Sequence, residues 1–184
     1  ASQTGRMSVS APELQQFPED ARPIIVREEG LTSIDWSQIE PVTMGLLAKD
    51  PTFLAPYEAG VDLYGPIMEA CGIDRKLAKV VLLATMYGQG TTGLAGRINK
   101  PEDQAALIRK QMLNSMPQSA NWMNRVKWVA EQHGKVPTAG GRILTVDSGG
   151  AFRAVNYMVQ GTAYDVLANT IIEMHRQGMG DKLY

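Results

Sequence analysis

Three clusters in this sequence combine residue types and spacings that could do chemistry. The first is Ile34-Asp35-Trp36-Ser37-Gln38-Ile39-Glu40. An Asp at the end of a strand, where a helix begins, can present its carboxylate to a hard divalent cation such as Mg²⁺, which takes carboxylate and carbonyl oxygens. The same residues also read as a plain helix start, with Ser37-x-x-Glu40 as a capping box and Pro41 in the first turn. The second cluster is Arg75-x3-Lys79-x3-Leu83-x3-Tyr87-Gly88. Steps of four keep these side chains on one slowly drifting helix face. Arg and Lys one turn apart make a cationic clamp suited to a triphosphate, the Arg by its fork and the Lys as a point charge. Leu83 and Tyr87 then offer an apolar surface and a ring to a sugar and a base. A solvated basic end on a half-buried helix has the same pattern. The third is Arg153-x2-Asn156-x3-Gln160-Gly161-Thr162-Ala163. Its two amides can donate to and accept from base edges or sugars, or can simply face solvent.

The elements that must position these residues are mostly helical. Leu31 to Asp35 is predicted as a short strand ending at the Asp. Helices are predicted at 41–49, 52–59 and 63–71, punctuated by Pro51, Gly60 and Gly72, and at 75–87 with Asp74 as its cap. Two more amphipathic helices span Pro101 to Asn114 and Gln118 to His133. Gly140-Gly141 between β-prone runs signals a hairpin over 135–146, and a long helical pattern runs from about Gly150 to Gln177. Residues 1–23 read as irregular because Pro12, Pro18 and Pro23 interrupt any long helix. The opening Ala1, with no Met, and the closing Asp181-Lys182-Leu183-Tyr184, which reads as the approach to another strand, predict a piece of a longer polypeptide.

Composition bounds the class. The chain has 184 residues, 44% of them hydrophobic and 20% charged, with 18 Lys+Arg against 19 Asp+Glu. That is globular and not disordered. The longest clear apolar run, Val80 to Ala84, is far below the ~20 residues of a membrane span. A single Cys71 excludes an intramolecular disulfide framework and reads as a free buried thiol in a reducing compartment. A net charge of −1 gives no sign of a nucleic-acid partner. Charge is nonetheless local, and Arg75, Lys76 and Lys79 form a focused cationic patch.

Taken in order, the three clusters resemble family A DNA polymerases, the bacterial DNA polymerase I type, with a likeness to phage-encoded members. Asp35-Trp36-Ser37-Gln38-Ile39-Glu40 resembles motif A, usually Asp-Tyr-Ser-Gln-Ile-Glu. Arg75 to Gly88 resembles motif B, the O-helix of the fingers, and Asn156-x3-Gln160-Gly161-Thr162-Ala163 resembles the helix returning to the palm. Thr4-Gly5-Arg6 and Leu14-Gln15-Gln16-x-Pro18 extend the likeness to the start of the chain. The resemblance implies an α+β, mostly helical fold in which a fingers subdomain is inserted into part of a palm. Residues 1–40 would be a palm segment ending in motif A, 41–149 the fingers including the O-helix at 75–88, and 150–184 the helix returning to the palm.

The resemblance also implies roles. Asp35 would ligate two catalytic Mg²⁺ ions, with the Trp36 carbonyl at one of them. Arg75 and Lys79 would hold the triphosphate, with Lys79 able to give a proton to pyrophosphate. Glu40 would be a steric gate beneath the sugar, fixed by a hydrogen bond from Tyr87. The nucleotide-binding set would be Arg75, Lys79, Leu83, Tyr87, Gln38 and Glu40. Tyr87 and Gly88 would meet the templating base, while Arg6, Gln15, Asn156 and Gln160 would touch the primer–template minor groove. Its acceptors are shared by all correct pairs, so readout there checks geometry. Implied partners are primer–template DNA and dNTP, with no membrane, for a monomer in the cytoplasm (the bacterial host's, if phage-encoded).

Several positions depart from the family pattern. Leu83 stands where Phe or Tyr is usual, which implies altered discrimination against dideoxynucleotides without loss of activity. Pro41-Val42 replaces Leu-Arg, and Tyr64 stands where a phosphate-contacting His is common. Arg153 is one residue out of register, and the short stretch from Cys71 to Arg75 implies trimmed fingers. The second metal carboxylate of the family sits in a His-Asp-Glu hairpin. Neither His133 nor His175 precedes such a pair, so the chain reads as truncated before motif C and inactive alone. Rival readings are a single-subunit RNA polymerase relative, which Glu40 beneath the sugar opposes, a non-catalytic nucleotide- or DNA-binding module, and a helical scaffold.

Overall fold

A computed structural model of the chain describes residues 2–10, 13, 16–24, 30, 32 and 34–182. Eight α-helices and one hairpin make up its regular framework among these residues: α1 (Ile39–Ala48), α2 (Pro51–Glu58), α3 (Gly65–Cys71), α4 (Arg75–Met86), α5 (Thr91–Ile98), α6 (Glu102–Ser115), α7 (Pro117–His133), β1 (Lys135–Pro137), β2 (Ile143–Thr145) and α8 (Ala154–Met174). Helices pack on helices around a core that includes Met44, Phe53, Ile67, Leu82, Met86, Leu94, Met112 and Val155, all without solvent exposure. α1 touches α2, α7 and α8, while α4 lies against α3, α5 and α6.

The hairpin pairs Val136 with Leu144 antiparallel, and both side chains point inward while their neighbours face out. Arg142 fastens it to the rest. Its Nε donates to Asp165 Oδ1 at 2.6 Å, and its Nη2 donates to the carbonyls of Thr4 at 3.1 Å and Gly161 at 2.9 Å. Gly161 is a close-approach residue, since a Cβ there would lie 2.7 Å from Thr138 Cγ2 and 2.8 Å from Leu144 Cδ1. α8 can therefore press directly on the hairpin.

Three sequence expectations need correction. Ile34 and Asp35 lie in extended but unpaired backbone, with no strand there among the described residues. The capping box does not form. The N-cap of α1 is Gln38 in the left-handed region (φ 56°) with no side-chain cap, because Glu40 is drawn instead to partners far along the chain. Gly180–Lys182 closes a 3-10 turn after a kink at Gly178 (φ 78°), where the approach to a strand was expected. Leu31, Gln15, Leu183 and Tyr184 fall outside the described residues. Helix α5 is an unpredicted element, whereas the 3-10 turn Ala151–Arg153 and α8 together fill most of the predicted long helix. Cys71 is free and half-buried, its thiol donating to the Ile108 carbonyl at 3.6 Å.

Candidate functional site

Helix α4 begins sharply because Asp74, extended at the N-cap, accepts from the Leu77 N–H at 2.7 Å. It ends at Gly88 (φ 72°), where the Gln89 N–H returns to the Ala84 carbonyl at 2.9 Å. Gly88 has a second reason to be glycine, because a Cβ would collide with the backbone oxygen of Phe152. Between these ends one face, Ala78, Val81, Leu82, Thr85 and Met86, is buried. The other carries Arg75 and Lys79 exposed and Leu83 and Tyr87 half-buried, so the face runs from a cationic, wet end to an apolar, sheltered one.

Arg75 is held on two sides. Its Nε donates to Asp62 Oδ2 at 2.7 Å, and its guanidinium stacks 5.1 Å from the centre of the Tyr64 ring. Asp62 is itself set by the Tyr64 N–H, which donates to Oδ1 at 3.2 Å. Tyr64 is only 2% exposed, so its ring supports Arg75 and offers little surface to a ligand. Arg75 Nη1 and Nη2 have no acceptor among the described residues, and Lys79 has no ion-pair partner there.

At the sheltered end a chain of polar contacts joins four elements. The Tyr87 hydroxyl donates to Glu40 Oε2 at 2.6 Å, and Gln160 Nε2 donates to the Tyr87 oxygen at 3.4 Å. Thr4 Oγ1 donates to Gln160 Oε1 at 3.4 Å, and Arg6 Nη1 lies 3.7 Å from Glu40 Oε1. Burial, reinforced by the hydrogen bond to Glu40, pushes the Tyr87 phenol up to about 12, so it is a protonated donor at neutral pH. The structure thus brings Arg6, Glu40, Tyr87 and Gln160 together. Asn156, one turn before Gln160, is half-buried, and its Oδ1 has no partner among the described residues. Gln38 is half-buried too, and its Oε1 has no partner among them. Asp35 and Trp36 are exposed just before α1. Among the described residues, Asp35 belongs to no group of three or more His, Cys, Asp or Glu that could hold a metal. Gln15 is outside the described residues.

Sequence reasoning missed Asp62, Tyr64 and Arg142 as positioning residues. The pattern Asp62-x-Tyr64 ahead of Arg75 is too short a signal to reveal a stack. A complementary charge for Arg142 was available only on the distant Asp165.

The family model described as DNA polymerase family A matches residues 1–183. The DNA polymerase of Mycobacterium phage L5 is 26% identical over 96% of this chain and 31% of its own length. DNA polymerase I of Chloroflexus aurantiacus is 29% identical over 98% of this chain and 22% of its own. Among solved structures, the POL domain of Pol1 from M. smegmatis, in complex with DNA primer-template and dNTP, superposes with a TM-score of 0.81 at 24% identity. That match covers 98% of this chain and 37% of the other, and it shows a shared fold. The chain therefore spans about a third or less of the length of these two curated relatives.

Proposed function

The chain belongs to DNA polymerase family A, and from that premise we propose that it supplies the nucleotide-selecting part of a template-directed DNA polymerase. Residues 1–40 and 150–184 would contribute to the palm and 41–149 would form the fingers. One observation carries the reading. Tyr87, at the end of the cationic helix face, bonds at 2.6 Å to Glu40, which is 47 residues earlier. That contact sets a carboxylate beside the apolar end of a face whose other end suits a triphosphate.

In this reading Arg75 and Lys79 bind the triphosphate and offset charge as it develops on the leaving pyrophosphate, with Lys79 able to give it a proton. Leu83 lies against the sugar. Glu40, immobilised by Tyr87 and Arg6, fills the space a 2′-hydroxyl would need, which opposes the ribonucleotide reading. Gln38 completes the nucleotide pocket. Tyr87 and Gly88 would face the templating base, and Arg6, Gln15, Asn156 and Gln160 the primer–template minor groove.

Mg²⁺ fits this donor set only in part. The Asp35 carboxylate and the Trp36 carbonyl are the oxygen donors such an ion takes. No group of three or more His, Cys, Asp or Glu able to hold a metal occurs among the described residues. Asp35 and Trp36 would hold one edge of the site, with further donors from a longer polypeptide, the primer and the triphosphate. The chemistry such ions supply when bound is stabilisation of the attacking 3′-oxygen and the leaving group.

The test is a titration of the 184-residue chain with primer–template and then dNTP, with and without Mg²⁺, followed by an assay for extension. Saturable, template-dependent dNTP binding without measurable extension is expected. Absence of dNTP binding would overturn the proposal, and extension by this polypeptide alone would overturn the partial metal site.

A further inference from the structure

Behind the turn that follows α4 lies a concave site that neither the nucleotide face nor the Glu40 network uses. It measures about 270 Å³ and is lined in part by Gln89, Gly90, Arg109, Met123, Asn124 and Lys127. Arg109 Nη2 donates to the carbonyls of Gln89 at 2.7 Å and Gly90 at 3.4 Å, and Nη1 lies 3.5 Å from Thr91 Oγ1. These bonds fasten the turn yet leave Arg109 Nε buried with no acceptor among the described residues. Neither Arg109 nor Lys127 forms an ion pair among the described residues, and Glu131, one turn further along α7, is the acidic group whose field reaches Lys127. Burial and the nearby Arg109 hold the Lys127 ammonium below its ordinary value, and burial does the same to Arg109. Two half-buried cations facing one cavity repel each other until an anion joins them. The remaining polar lining is neutral, and turning the Gln89 amide would present its NH₂ in place of the unpaired Oε1.

We propose that this pocket holds a backbone phosphate of the template strand, bound between Arg109 Nε and Lys127 Nζ as the single strand passes the Gly88–Gly90 turn. The proposal rests on the polymerase reading above and extends it to a strand contact. A phosphodiester suits the site because it is permanently charged and compact, with one free oxygen for the guanidinium and another for the ammonium. Gly90 presents no side chain that would keep a strand away, and the space beside it is open. A free polyphosphate has the same chemistry, so the test separates the two sources.

The informative variant is Lys127→Met, which keeps the packed stem, with Lys127→Arg as the conservative control. Fluorescence anisotropy would compare a primer–template bearing a single-stranded 5′ template overhang with the same duplex made blunt, across a range of salt. Lys127→Met should bind the overhang roughly 10-fold more weakly, with the slope of log K against log salt smaller by about 0.7. Blunt-duplex binding should be unchanged, Lys127→Arg should retain overhang binding, and Tm should not fall because a repulsion has been removed. Equal weakening on both DNAs, no weakening on either, or a defect seen only with tripolyphosphate would overturn the proposal. Failure of the unsubstituted chain to bind primer–template at all would overturn the polymerase reading with it.

Discussion

Replacing Arg75 and Lys79 together by Met is expected to weaken dNTP binding by about two to four orders of magnitude and leave the fold intact. A hydrogen bond to a charged partner contributes about 1.5–3 kcal/mol, so losing two removes about 3–6 kcal/mol, at 1.4 kcal/mol per tenfold change. The fold should not notice. Both side chains are exposed on α4, and the one ion pair lost, Arg75 with Asp62, is a surface pair of the kind that contributes about 1 kcal/mol or less. Tm should move by only a few degrees. Titration calorimetry of dNTP onto the chain with primer–template checks this, and a loss below about tenfold would mean the triphosphate is held elsewhere.

The second large effect concerns stability. Asp50 is 1% exposed and ties α2 to α7. It caps α2 by accepting from the Thr52 N–H at 3.0 Å, and it accepts from the Ser119 N–H of α7 at 2.7 Å. Asp50→Ala removes both bonds and strands a buried N–H, so it should cost about 3 kcal/mol, or roughly 6–12 °C in Tm for a chain of this size. Burial alone would raise the Asp50 pKa, but the hydrogen bonds from Ser119 and Thr52 outweigh it and hold the carboxyl below its usual range. A lowered folded pKa means that the stabilisation is present above the ordinary carboxylate value and is lost as pH falls through the lowered one. Asp50→Asn should therefore be less stable than the unsubstituted chain at neutral pH, with the gap closing below about pH 4. Thermal unfolding across that range measures it.

Local signals read well wherever one stretch of chain contained both halves of the instruction. Asp74 with the four-residue repeat after it defined α4 and the face that carries Arg75, Lys79, Leu83 and Tyr87. Gly140-Gly141 between β-prone runs defined the hairpin. The misreadings are places where a distant partner won. Glu40 satisfied a capping-box pattern, but its carboxylate is taken by Tyr87, so Gln38 became the cap. Helix α5 was hidden by Gly93 and Gly96, whose low helix propensity is overridden by burial of Leu94 and packing on α6. Arg142 gave no sign that it would grip Asp165, Thr4 and Gly161 at once. The cationic pocket of Arg109 and Lys127 spans α6 and α7, and no spacing rule joins those two positions.

In the proposed reading Glu40, held by Tyr87, selects the sugar of the nucleotide bound along α4. The direct measurement is the affinity for a dNTP and for its matching rNTP on primer–template, in the unsubstituted chain and in Glu40→Ala. A preference for dNTP of at least roughly 10-fold, about 1.4 kcal/mol, is expected, and it should nearly vanish in Glu40→Ala chiefly because rNTP binding improves. Equal binding of the two nucleotides by the unsubstituted chain, or a ratio that Glu40→Ala leaves unchanged, would contradict it.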